Sequence, residues 1–426
     1  MIIYVVREGD SLYKIAQAYG VSYQMIADDN ELASPDSLAV GQTLVIMTDT
    51  IPHIVMPGQS LYSISRGYRV PLNDVIAANP EITNPAQLSV GQLVKIPVSQ
   101  PKLGTIEVNG YAFPNINAEV LQKTLPYLTY LSIFSYEVRA DGSLSAPVDE
   151  PLIQAARQAN VAPMMVITNI DEEGSFSSEL VHVILTNTAV QDTLLDNIVE
   201  ILQSKNYFGL DIDFEYIYPD DRQNYNNFLI KVVDRLRPLG YTITTALAPK
   251  TSGTQQGLLY EAHDYPFHGA IVDHVILMTY EWGYTFGPPM AVAPLNQVRR
   301  VLNYAVSVIP SEKILMGMPN YGYDWRVPYV SGTAAETISN VGATQLAVQE
   351  GAQIQFDVEA QSPFFNYVDQ QQQRHVVWFE DARNVAASLR LVSEYDLAGV
   401  SYWTINRFFP QNWLVLSSMY DVKKLL

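Results

Sequence analysis

The chain contains no cysteine, so disulfide bridges, thiolate metal sites and cysteine nucleophiles are all excluded. Charge is sparse, at 16% of 426 residues, and bases are the scarcer kind: 25 Lys and Arg against 44 Asp and Glu. The resulting net charge of −19 repels polyanions, so nucleic acid is not an expected partner. No apolar stretch approaches the roughly 18 residues of a membrane-spanning helix, and no membrane partner is expected either. The six histidines are scattered; His263 and His268 form no ligand pattern, and neither a metal nor a cofactor is expected. Met1–Val6 meets Arg7, Glu8 and Asp10 too soon to form the apolar segment of a signal peptide, so none is expected. Nothing demands more than a monomer.

What is present is ample apolar material, 48% of the chain, enough for packed cores in several domains. An internal repeat organises the first hundred residues. At an offset of 49, Val6, Gly9, Ser11, Leu12, Tyr13, Ile15, Tyr19, Val21 and Asn30 match Val55, Gly58, Ser60, Leu61, Tyr62, Ile64, Tyr68, Val70 and Asn79. After one inserted residue, Pro35, Leu38, Val40, Gly41, Gln42 and Ile46 match Pro85, Leu88, Val90, Gly91, Gln92 and Ile96. Each copy reads as strand (Tyr4–Val6; Ile54–Met56), turn, two helices and a closing strand. Ser11 and Ser60 are placed to cap the first helix.

This βααβ unit resembles the LysM module. Gly9-Asp10-Ser11-Leu12 and Gly58-Gln59-Ser60-Leu61 stand at the family's first turn. The resemblance implies that residues 1–48 and 51–98 each bind N-acetylglucosamine-containing glycan, through a groove involving these residues. Gln59 and Pro71 depart from the commoner pattern, which implies a weaker second copy. The bland alternative is a pair of small structural or protein-docking domains. A short linker, Pro97-Val-Ser-Gln-Pro101, follows.

From 102 to 426, eight apolar strand-like runs alternate with helical stretches: 105–113, 128–136, 162–170, 209–216, 242–248, 274–282, 314–321 and 399–404. Helices are expected over 151–160, 188–205, 220–239 and 380–395. The fold class is therefore α/β, a (β/α)₈ TIM barrel behind the two βααβ modules. The gap from about 326 to 377 is too long for a crossover and reads as a small inserted lobe. Strands are expected there near 355–359 and 364–368, with a hairpin tip at 370–373.

The fourth run, Phe208-Gly-Leu-Asp-Ile-Asp-Phe-Glu215, carries the chemistry. Side chains alternate along a strand, so Asp211, Asp213 and Glu215 share one face and Leu210, Ile212 and Phe214 the other. The apolar face packs on helices, which sends three carboxylates into the barrel. Burying like charges costs several kcal/mol unless protons are shared. A purely structural core would not choose this. Glu215 lies nearest the C-terminal face, where barrel active sites lie.

Gly209–Glu215 resembles the D-x-x-D-x-D-x-E motif of family-18 glycoside hydrolases; Met278-Thr-Tyr-Glu281 resembles that family's M-x-Y-D, and Tyr402-Trp403 its closing tryptophan. Within the family, the paired modules and Met278–Pro289 resemble the spore-cortex-lytic N-acetylglucosaminidases of endospore-forming bacteria. Phe208 stands at the motif's first aspartate, and Glu281 at an aspartate. The resemblance implies a substrate-assisted retaining mechanism. Glu215 would be general acid and then base, Asp213 the partner of the acetamido N–H, Asp211 its proton-sharing neighbour and Tyr280 the group orienting the acetamido carbonyl. Trp403 would floor the sugar site, with Met278 and Glu281 beside it. Trp282, Tyr111, Asn169 and Tyr321, at strand ends, are further candidates for the cleft. The expected substrate is spore peptidoglycan, and the expected location is the spore. The alternatives are a chitinase or chitooligosaccharidase, and a non-catalytic glycan-binding coat protein.

Overall fold

A computed structural model of the protein describes residues 1–98 and 101–426; Ser99 and Gln100, inside the expected linker, lie outside the described residues. In the first module, strands Ile2–Val5 and Thr43–Ile46 pair antiparallel around helices Leu12–Tyr19 and Tyr23–Asp29. The second repeats this with strands Thr50–Ile54 and Leu93–Pro97 and helices Leu61–Tyr68 and Leu72–Ala77. Its opening strand therefore starts earlier than Ile54–Met56. Ser11 and Ser60 accept from the N–H groups of Lys14 and Ser63, so both act as helix caps. The matched asparagines have one job: the buried amides of Asn30 and Asn79 bond both backbone groups of Val45 and Lys95, at 2.7–2.8 Å. That bond ties the second helix to the closing strand.

Eight parallel strands form the barrel: β1 Gly104–Ala112, β2 Tyr130–Val138, β3 Ala162–Thr168, β4 Gly209–Asp213, β5 Thr242–Leu247, β6 His274–Leu277, β7 Ile314–Pro319 and β8 Gly399–Trp403. Pairing runs in this order from β2 to β8, then from β8 to β1, and β1 to β2 closes the ring. Each of the eight expected runs contains a barrel strand, but the fourth and sixth overshoot: β4 ends at Asp213 and β6 at Leu277, so Glu215, Tyr280, Glu281 and Trp282 lie beyond them. The expected helices appear as Glu150–Gln158, Thr188–Ser204, Arg222–Leu236 and Ala382–Glu394. Leu210, Ile212 and Phe214 join the core between strands and helices. Tyr111, Phe134, Val166, Ala246, Ile276 and Leu315, one from each of six strands, form a separate interior cluster.

The inserted lobe is an antiparallel sheet with helix Asn340–Gln349 against it. Its strands, in sheet order, are Glu336–Ile338, Gly322–Val327, Arg374–Trp378, Ser362–Val368 and Gln355–Asp357. The lobe begins four residues before the 326 read from the sequence, because Gly322–Val327 continues almost directly from β7 and looks like the same apolar run. Residues 370–373 do form the hairpin tip between two of its strands.

The two modules differ in what they touch. Module one docks on the barrel and its inserted lobe: on the barrel Gln411 exchanges bonds with the Thr43 hydroxyl (2.8 Å) and carbonyl (2.7 Å), and from the lobe the Ile354 N–H donates to the Val40 carbonyl at 2.9 Å. Val45 is buried within the barrel's own core cluster. In module two the matching position is Lys95, which is exposed.

Gly41 and Gly91 test this contrast, since both have φ +87°. A Cβ on Gly41 would lie 1.9 Å from the Ile354 carbonyl oxygen, whereas none meets Gly91 within 4 Å. Alanine at either position should suffer the same left-handed strain of about 1–2 kcal/mol. Only Gly41→Ala should also undock its module, losing about 1 kcal/mol or more beyond Gly91→Ala in chemical denaturation. Equal losses would mean that docking contributes nothing.

Candidate active site

Asp211 and Asp213 point into the barrel from β4, both buried, and Glu215 follows at its C-terminal mouth. Tyr111 on β1 donates its hydroxyl to Asp211 at 2.5 Å. The other oxygen of Asp211 and one of Asp213 are buried without a hydrogen-bond partner, which marks where a shared proton is needed. Burial raises Asp211 to about 7, partly opposed by the Tyr111 bond. Asp213 is held well above the ordinary carboxylate range by burial, then by the charges of Glu215 and Asp211. Glu215 is also pushed up to about 7, chiefly by desolvation from the cleft walls and then by Glu281. The row therefore titrates as a unit and retains protons near neutrality.

Glu281 opens onto the same cleft, and its carboxylate accepts from the hydroxyls of Tyr321 and, at 3.0 Å, Tyr323. Burial raises the Tyr111 and Tyr280 hydroxyls far above their ordinary value, so both remain protonated. Trp403 is fixed at the floor by edge contacts with Tyr111, Phe113 and Phe134, centroids 4.9–5.7 Å away. Tyr111, Tyr280, Glu281 and Trp403 line a cavity of about 1320 Å³, together with Met278, Trp282 and Tyr321. That space exceeds the size of typical small-molecule pockets and suits several linked sugars.

Asn169 is different. It was expected to line the cleft, but it is fully buried and its amide is spent on the acid's backbone. Its Oδ1 accepts from the Glu215 N–H at 2.9 Å, and its Nδ2 donates to the Glu215 carbonyl at 2.8 Å. A second clamp comes from His263. The Ala248 N–H donates to its Nδ1 at 2.9 Å, so the proton sits on Nε2 and is donated to the Phe214 carbonyl at 3.0 Å. Burial lowers this imidazole to about 4 and keeps it neutral. Ser178 holds the next carbonyl, that of Tyr216. Sequence spacing gives no sign of His263's role, because its partners, Phe214 just past β4 and Ala248 just past β5, meet only in the barrel.

The profile of Glycosyl hydrolases family 18 matches residues 111–407. The chain belongs to glycosyl hydrolase family 18. The LysM domain profile matches this family-18 hydrolase at 4–46 and 53–97. It is 44% identical to a cortical fragment-lytic enzyme of Bacillus subtilis (strain 168), covering 100% of this chain and 99% of that one. The crystal structure of the Bacillus megaterium QM B1551 spore cortex-lytic enzyme SleL superposes with a TM-score of 0.91 at 41% identity, over 100% of this chain and 99% of that one. A chitinase from Chromobacterium violaceum ATCC 12472 matches at TM-score 0.69 and 25% identity, over 74% of this hydrolase and 98% of that chain.

In the hydrolase's LysM modules the candidate glycan-contact side chains are already engaged. Leu12 and Leu61 are buried in the module cores. Ser11 and Ser60 are the helix caps. Gly9 and Gly58 turn at φ +80° and +81°. Asp10 accepts from Tyr4 (2.7 Å) and the Arg7 N–H (2.8 Å); Gln59 likewise bonds His53 (2.9 Å) and accepts from the Met56 N–H (2.8 Å). Gln59 thus does the turn-closing work of Asp10, with His53 in place of Tyr4.

Removing the amide clamp with Asn169→Ala should lower kcat on a soluble N-acetylglucosamine-containing glycan by about tenfold to a hundredfold, with a smaller change in KM. An unchanged kcat would show that β4 holds Glu215 unaided. Stability supplies a second test. A folded carboxyl raised to about 7 keeps its proton where the unfolded chain has lost it. The wild type should therefore lose stability relative to Glu215→Gln as pH rises from about 4.5 to 7. Thermal midpoints of both proteins across that range would check the sign; a constant gap would refute the raised value.

Proposed function

We propose that this family-18 hydrolase cleaves N-acetylglucosaminidic bonds in spore-cortex peptidoglycan by a retaining, substrate-assisted route, acting as a monomer at the spore and held to the polymer by its LysM modules. The observation that carries the reading is the row Asp211, Asp213, Glu215 on one inward face, ending with Glu215 near a pKa of 7 at the cleft. A group of that pKa serves as an acid and then as a base at neutral pH. Glu215 donates its proton to the glycosidic oxygen. The 2-acetamido carbonyl oxygen attacks the anomeric carbon, and the bond to the leaving sugar breaks. Asp213 accepts the acetamido N–H and stabilises the oxazolinium charge, with Asp211 and the Tyr111 hydroxyl behind it. Tyr280 orients the acetamido carbonyl, and Trp403 supports the ring's C–H face. Glu215, now ionised, takes a proton from the water that opens the oxazolinium ring. Two displacements at one carbon restore the original configuration.

The cortical substrate is favoured over chitin by the full-length likeness to cortical fragment-lytic and cortex-lytic proteins. Two modules on one chain raise the effective concentration at an insoluble polymer.

Mass spectrometry of purified cortex treated with the intact protein and with Glu215→Gln tests the reading. Fragments ending in reducing N-acetylglucosamine should come only from the intact protein, with at least a hundredfold loss in the variant. Cleavage of chitin oligomers without release from cortex would select the chitinase reading; binding without cleavage of either would select a coat protein. Turnover should also fall as pH rises through about 7, as Glu215 loses the proton it must donate. A rate that keeps rising to pH 9 would remove Glu215 from the acid's role.

A further inference from the structure

The charged residues that line the cleft divide sharply. Asp213, Glu215 and Glu281 are the acids; Arg300 and Arg407 are the cations. Arg300 enters from helix Leu295–Ala305, after β6, and Arg407 from the loop after β8. The two arginines have no partner worth the name. Arg299, one residue before Arg300, makes a two-pronged ion pair with Glu394. Arg300 turns the other way, bonding only the Gln297 amide oxygen at 3.0 Å. Among the described residues, neither Arg300 nor Arg407 stands in an ion pair, although acids outnumber bases by 19 in this chain.

The Arg407 loop is also held still. The buried Asn320 amide donates to the carbonyls of Thr404 (2.8 Å) and Arg407 (2.7 Å), and Asn406 accepts from the Phe113 N–H at 2.9 Å. A guanidinium on a pinned loop, facing a sugar cleft and lacking a carboxylate, is prepared for an anion brought by the ligand. A homopolymer of N-acetylglucosamine brings none. A glycan containing muramic acid carries a lactyl ether whose carboxylate is either free or amide-linked to a peptide that itself ends in a carboxylate.

We propose that Arg300 and Arg407 are specificity residues that receive a carboxylate carried on the muramyl lactyl group, and so favour peptidoglycan over neutral glycans in this cleft. The assignment rests on the hydrolytic reading above and adds to it the feature by which substrate is told apart. The preference is electrostatic at a solvent-facing margin, so salt should weaken it.

The test compares kcat/KM on three soluble fragments: one with free lactyl groups, one with stem peptides, and the same peptide fragment with its carboxylates amidated. The wild type should prefer at least one anionic fragment over the amidated one, and the arms distinguish lactyl from peptide carboxylate. In Arg300→Gln or Arg407→Gln that ratio should fall about threefold to fivefold, as for one solvent-facing ion pair, and further in the double variant. The lysine double variant should restore part of it, which a merely structural role would not allow. Salt at about 0.5 M should shrink the wild-type ratio toward one. An unchanged ratio in the double glutamine variant, with the fragments still hydrolysed, would overturn the specificity role alone. A wild type that hydrolyses none of the three would instead overturn the hydrolytic reading, and the proposal with it.

Discussion

Two carboxylates on the inward face of one barrel strand, with a third two residues past its end, impose the constraint around which the catalytic domain is arranged. Ionised together they would cost several kcal/mol, so the neighbouring strands must supply hydroxyls, protons and walls. Tyr111 reaches across from β1 to Asp211, Tyr280 stands beyond β6, and the pair Tyr321–Tyr323 holds Glu281 at the rim. Burial raises every member of this set. The same desolvation that makes the row unfavourable to assemble brings Glu215 to about 7, where a carboxyl can give and retake a proton.

Holding such an acid requires rigidity in the chain that carries it. Glu215 lies two residues past the last strand residue of β4, where the sheet no longer fixes the backbone. Asn169 from the β3 side and His263 from the β5 side replace the missing ladder bonds, pairing with the backbone of Glu215 and Phe214. The position of Glu215 is thus set by buried amide and imidazole groups that do not line the cleft. The cleft itself adds two arginines at its margin, its only positive charge among the described residues.

The paired modules show how one pattern serves two placements. Their matched residues (serine caps, buried asparagines, turning glycines) build the same small fold twice. Their unmatched residues decide what happens outside it. Val45 and Thr43 let module one share the barrel's core and bond Gln411, while Lys95 and Leu93 leave the corresponding face of module two open to solvent.

Strand alternation and spacing were enough to read the eight barrel strands, both modules, the inward carboxylate row and the aromatic residues at the strand ends, because each rests on a local period. The limits fall at Gly322–Val327, at Asn169 and at His263. The first runs on from β7 in sequence and leaves the barrel only in space. Asn169 stands near the end of an expected strand run just as Trp282 and Tyr321 do, and only the packing of β3 against β4 turns its amide to the backbone. His263 has partners 15 and 49 positions away, and no sequence period links them. The sequence by itself determined the fold class and the acid row, since both follow from which face of a strand is apolar. Tertiary structure alone decided which polar side chains line the cleft and which hold the backbone behind it, because that depends on contacts between strands distant in sequence.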